Sequence, residues 1–130
     1  MANPNIVNVA AIYGTTTYFT PSGTTAVVLL PNAASSGKVF KINQIVAANV
    51  TGTACNATVA IYTNGSVAQG SAPSGGTAYP VVNAVSVPGS ASLICVDKST
   101  AIYLMEGTSI TVTSAIGSSL TFSVSYEDIS

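Results

Sequence analysis

Only seven side chains in this sequence carry full charge: three lysines and four carboxylates. Three of the seven fall inside one run, "CVDKSTAIYLMEGTSITVTS" (Cys95 to Ser114), as Asp97, Lys98 and Glu106. Acid–base hydrolysis is the chemistry such a cluster could carry, and it needs two convergent carboxylates or a nucleophile beside its base. The spacing argues against it. Asp97 and Glu106 bracket an apolar run that reads as a strand, which sets their backbones on the order of 25 Å apart at roughly 3.3 Å per residue. A glycosidase pair needs about 5–10 Å. The other two acids, Glu127 and Asp128, are adjacent and point to opposite faces of an extended chain. Histidine is absent, which excludes Ser–His–Asp and Cys–His arrangements. We therefore expect no enzyme activity and assign no catalytic, cofactor-binding or metal-binding residue.

The remaining reactive side chains give the same answer. Cys55 and Cys95 lie 40 positions apart, each within an apolar, strand-like run, and read as two small buried hydrophobes. A disulfide between them would require neighbouring strands and an oxidising medium. Neither belongs to a metal-ligand spacing. The long loop "NGSVAQGSAPSGG" (Asn64–Gly76) contains no carboxylate for Ca²⁺ and no phosphate-loop pattern. Its small residues mark it as the most mobile internal segment. Tyr62 and Tyr79 flank it and are the best candidates for a glycan-stacking surface; the plainer reading makes them core or rim residues.

Positioning these residues falls to strands. Val, Ile, Thr and Tyr recur in short runs bounded by Gly, Pro, Asn and Ser. Strands are expected near Asn5–Tyr13, Thr16–Phe19, Ala26–Leu30, Lys38–Asn49, Asn56–Tyr62, Tyr79–Val87, Ser92–Asp97, Ala101–Glu106, Ser109–Ser114 and Leu120–Glu127. In the last of these, Leu120, Phe122, Val124 and Tyr126 alternate with Thr and Ser, giving one dry face and one hydroxyl-rich face. No stretch carries a 3.6-residue apolar stripe with caps. The spacing of about 8–12 residues between strands indicates an all-β fold, a single antiparallel β-sandwich of jelly-roll type with little or no helix. Residues 1–20 read as an N-terminal strand or arm, and 21–130 as the sandwich domain. The arm carries apolar residues on both faces (Ile6, Val7, Val9, Ile12, Tyr13), which calls for cover from the same sandwich or from a neighbouring subunit. Asp97-Lys98 and Glu106-Gly107 then fall at tight turns, where charges mark corners and discourage edge pairing.

Composition bounds the way of life. The chain has 130 residues, enough for one domain with one core. Charged residues make up 5%, against about 25% in an average soluble domain. The polar coat must therefore be Ser, Thr, Asn and Gly. Such a surface packs readily against other protein, because burying a hydroxyl or amide costs less than burying an ion. Lys38, Lys41 and Lys98 are too few for a nucleic-acid footprint. No run reaches the roughly 20 apolar residues of a membrane helix, and the first residues do not read as a signal peptide. Synthesis and residence in the cytoplasm of the producing cell are the expectation.

The run "SGKVFKINQIVAANVTGTACNATVAIYTNGS" and the later "VSVPGSASLICVDKSTAIYLMEGTSITVTSAIGSSLTFSVSYEDIS" resemble small virion structural proteins of tailed, cyanophage-like bacteriophages. The likeness covers roughly Ser36 to Ser130. It rests on the "KVFKI" strand, the "VPGSASL" turn, the "DKSTAIYLMEGTSI" double turn and the closing "SYEDIS". The chain departs from that pattern at Thr108, where Asp is commoner, and in its long small-residue loop. What the resemblance implies is a β-sandwich subunit of the phage particle. A capsid decoration (cement) protein is the leading expectation: a homo-oligomer, a trimer favoured, bridging major capsid subunits or other virion proteins, with no nucleic acid or membrane as partner. The alternatives are a neck, tail or fibre component, including an adhesin for host-surface glycan, and a lectin-like accessory module.

Overall fold

Nine strands account for most of the chain in the computed structural model, which describes residues 10–130. They are β1 (Ile12–Phe19), β2 (Val27–Asn32), β3 (Val39–Asn49), β4 (Cys55–Tyr62), β5 (Ala78–Val87), β6 (Ser92–Val96), β7 (Ile102–Leu104), β8 (Thr108–Ser114) and β9 (Leu120–Ile129). The one helical element among the described residues is a single 3-10 turn, Lys98–Thr100. All pairings are antiparallel. One sheet runs β1-β9-β3-β6, with β7 also on β3, and the other runs β2-β8-β4-β5. Since β6 and β7 both pair with β3, they form one interrupted strand. The result is eight strands in two four-stranded sheets, which is the connectivity of a jelly roll. The fold expected from the sequence is the fold observed.

The core follows from period-two alternation. On β9, Leu120, Phe122 and Val124 are buried, while Thr121, Ser123 and Ser125 between them stay partly exposed. Ile42, Ile45 and Ala47 of β3 join them from the same sheet. Leu29, Leu30, Val59, Ile110 and Val112 meet them from the other. Phe122 is fully buried at the centre, worth about 2–3 kcal/mol of transfer free energy by itself.

Three expectations shift. The strand placed at Asn5–Tyr13 lies largely outside the described residues. The break placed between Tyr13 and Thr16 does not occur. β1 pairs with β9 without interruption, from Ile12↔Ile129 to Phe19↔Phe122. Gly14 is an ordinary exposed strand position with open space where a Cβ would stand. The segment from Thr63 to Thr77 is not loosely held. Gly70 N–H donates to Val28 O (2.8 Å), and Val28 N–H donates to Ser71 O (2.9 Å). Gln69 Nε2 donates to Leu29 O (2.8 Å) and Thr17 Oγ1 (3.0 Å), and Gly76 N–H donates to the Tyr62 hydroxyl (3.0 Å). Gly65 passes so close to β2 and β8 that a Cβ there would lie 2.1 Å from Asn32 O and 2.5 Å from Thr108 O. The small residues that suggest mobility are what allow this close approach. The segment closes the outer edge of β2. It also lies against Val28 and Tyr62, two buried residues that alternation turns away from the opposite sheet.

Candidate functional site

Asp97 and Lys98 stand apart at the 3-10 turn, while Lys38, Lys41, Glu106, Glu127 and Asp128 lie around the start of β3, each carboxylate with its own partner. Asp97 caps the 3-10 turn. Its carboxylate accepts from Ser99 N–H (2.9 Å) and Ser99 Oγ (2.6 Å), and Thr100 Oγ1 accepts from Asp97 N–H (3.2 Å) in return. The hydrogen bond from the Ser99 hydroxyl, ahead of those from backbone N–H groups and Thr100, holds this carboxyl below its ordinary range. Glu106 Oε2 accepts from Gly37 N–H (2.9 Å), tying the β7–β8 turn to the β2–β3 loop. Glu127 Oε2 accepts from Asn43 Nδ2 (2.9 Å), and Asp128 pairs with Lys38 (3.2 Å). Each carboxylate thus fastens a turn or a strand end. No group of three or more His, Cys, Asp or Glu among the described residues is placed to hold a metal ion.

Both cysteines are free thiols. Cys55 is buried beside Ser114, with Sγ 3.4 Å from its hydroxyl. Cys95 sits where the β3–β6 register shifts, and is half-buried. Burial pushes its thiol up to about 11, opposed by a weaker hydrogen bond with the Ala47 backbone. A thiol held protonated in this way is not a nucleophile at neutral pH.

The glycan-platform pair does not form. Tyr62 is 8% exposed with its hydroxyl engaged by Gly76, whereas Tyr79 is 61% exposed. In the β4–β5 register Tyr79 lies opposite Ile61 and Tyr62 opposite Ala78, so alternation points the two rings to opposite faces.

Two features remain. One is a cavity of about 260 Å³ between the sheets at the β1–β2 side, lined by Thr17, Leu29, Leu30, Pro31, Phe40, Gln69 and Tyr126. It is smaller than a typical ligand pocket of about 300–1,000 Å³. The Phe40 and Tyr126 rings meet on its wall at 4.9 Å between centroids. Burial, and after it the Asp128 carboxylate, raises the Tyr126 phenol, with Lys38 opposing. Its polar groups are hydroxyls and an already engaged amide, which suits an apolar side chain better than any reaction.

The other feature is the outer face of the β1-β9-β3-β6 sheet. Register places Tyr18, Ser123, Val46 and Ile94 in one row across four strands. Thr16, Ser125 and Gln44 form the next, and Thr121, Ala48 and Ser92 another. Thr16 Oγ1 and Ser125 Oγ lie 3.0 Å apart, and Thr20 Oγ1 and Thr121 Oγ1 2.8 Å apart, so the hydroxyls bond to one another across strands. The charges on this face, Lys41 and Glu127, stand opposite each other at one end. This is a broad, nearly uncharged surface. The low overall charge announced it, but which residues compose it depends on register across non-consecutive strands. No protein-family model matches the chain, and neither a curated protein nor a solved structure does so. No helix among the described residues is long and apolar enough to cross a membrane.

Proposed function

We propose that the chain is a non-enzymatic structural subunit of a tailed-phage particle, a capsid decoration protein that lies on the head and bridges major capsid subunits. The observation that carries this reading is the hydroxyl- and amide-coated outer sheet face, whose three central rows hold no charged residue. Such a face can be covered by another protein without desolvating ions. The action is mechanical. Weak apolar and hydroxyl contacts, each too small to matter alone, are repeated by the symmetry of the shell and add as avidity. The chain works as a homo-oligomer, a trimer in the leading arrangement. The resemblance over Ser36–Ser130 points the same way, and the turn and capping roles of Asp97 and Glu106 support a structural reading of both carboxylates.

The test is binding to empty heads that lack the chain. Purified protein should co-sediment with them, saturate at a fixed ratio to the major capsid protein, and raise the temperature at which the heads open. Ser123→Lys, at the middle of the face, should weaken binding while leaving the unfolding temperature within about 2 °C of the parent, as expected for a surface change. Failure of the wild-type chain to bind at micromolar concentration would exclude the decoration role.

A further inference from the structure

A sheet edge left open invites another strand, and proteins usually blunt such edges. Three of the four edges here are blunted. The β2 edge is covered by Gly70 and Ser71 through their bonds to Val28. The β5 edge carries Pro80, two register shifts against β4, and Ala84 at a positive φ of 51°. The β6–β7 edge is short and interrupted by the Asp97–Thr100 cap. β1 is the exception. It has eight residues in unbroken register with β9, no proline and no charge.

The polarity of its backbone is fixed by its first bonds. Ala11 and Ser130 exchange both hydrogen bonds (3.1 and 2.9 Å). In an antiparallel ladder this bonded pairing recurs at every second residue. Tyr13, Thr15 and Thr17 therefore bond inward to β9, and Ile12, Gly14, Thr16 and Tyr18 turn their N–H and C=O groups outward. Among the described residues nothing bonds those outward groups. The largest exposed side chains of the region sit on the same strand, with Tyr18 70%, Tyr13 65% and Ile12 52% exposed.

We propose that β1 pairs antiparallel with β1 of a second copy about a two-fold axis at Thr16, joining the two four-strand sheets into one continuous sheet. The strand is complementary to itself in that register. Thr16 stands opposite Thr16, and their outward N–H and C=O groups bond reciprocally. Tyr18 of each copy stands opposite Gly14 of the other on the outer face, so a ring lies over a residue with no Cβ and open space above it; aromatic cover of an edge glycine is a recognised stabiliser of such pairs. On the inner side Tyr13 stands opposite Phe19, an aromatic cross-strand pair. With no charge on the strand, the two identical edges do not repel. The contact is isologous and by itself makes a dimer. The trimer of the proposed function forms on the shell and through a different surface, so in free solution this dimer holds or fails independently of that reading.

The experiment is sedimentation equilibrium on the full chain, with circular dichroism as the check on folding. The wild type should sediment as a dimer at concentrations where Thr16→Lys and Thr16→Glu, each placing like charges on the axis, are monomers with unchanged β spectra. Mixing the Lys and Glu variants should restore the dimer, because the charges facing across the axis are then opposite. A monomeric wild type would overturn the proposal. So would single variants that associate as strongly as the parent, or a mixture that remains monomeric.

Discussion

Asn32, at the end of β2, is 1% exposed and holds three segments together. Its amide nitrogen donates to Lys38 O and Leu104 O, both at 3.0 Å, and its side-chain oxygen accepts from Ser36 Oγ at 2.6 Å. Those bonds join β2, the β2–β3 loop and the end of β7. Asn32→Ala removes all three of these bonds. A hydrogen bond of this kind contributes about 1 kcal/mol net, so the loss is about 3 kcal/mol, or about 10 °C in Tm for a chain of this size. Asn32→Asp should be worse at neutral pH, since a carboxylate would face two carbonyl oxygens. Its folded-state pKa would then be raised, so the neutral acid is favoured in the fold. The variant should be most stable below the unfolded value of about 3.9 and lose stability as pH rises through the folded value. Urea unfolding of the three proteins at pH 3.5 and 7 reads both effects, with unchanged m-values as the check on two-state behaviour. A cost below about 1 kcal/mol for the alanine variant, or an aspartate variant indifferent to pH, would refute the assignment of Asn32 as the clasp.

Further outcomes follow from the same geometry. Gly65→Ala must push aside backbone on β2 or β8, because its Cβ would lie 2.1 Å from Asn32 O; we expect a Tm at least several degrees lower, checked by thermal unfolding. Asp97 titrates below its ordinary value of 3.8, so the cap persists above that value and loosens only as pH falls through the lowered one; the Asp97 carboxyl shift followed by NMR should show this, and Asp97→Asn should keep the Ser99 bonds at every pH. With its thiol pushed up from 9.0 to about 11, Cys95 has on the order of a hundred-fold less thiolate at pH 8 than an exposed cysteine; alkylation of the native chain should be slower by a comparable factor, and a rate like that of an unfolded control would contradict the burial.

What the sequence disclosed and what it hid differ in range. Alternation in Leu120–Tyr126 is a local signal, and it placed that strand correctly. Asp97 before Lys98-Ser99-Thr100 carries its own turn chemistry, and the structure places it as a cap. Gly14, by contrast, reads as a breaker only until β9 is known to pair across it. The Thr63–Thr77 segment looks mobile because its residues are small, and the partners that fix it, Val28, Leu29 and Tyr62, are set by folding and not by neighbourhood in sequence. Tyr62 and Tyr79 flank one loop, yet strand register turns them to opposite faces. The row Tyr18, Ser123, Val46, Ile94 has no local signature, because its members come from four strands that are not consecutive.

The central claim, that this uncharged sheet face is built to lie on a phage head, is tested most directly by counting the chain in purified particles against the major capsid protein, by quantitative mass spectrometry. The decoration role predicts on the order of hundreds of copies per particle, in a fixed ratio set by shell symmetry. About a dozen copies would move the chain to the neck or tail, and none would contradict the account.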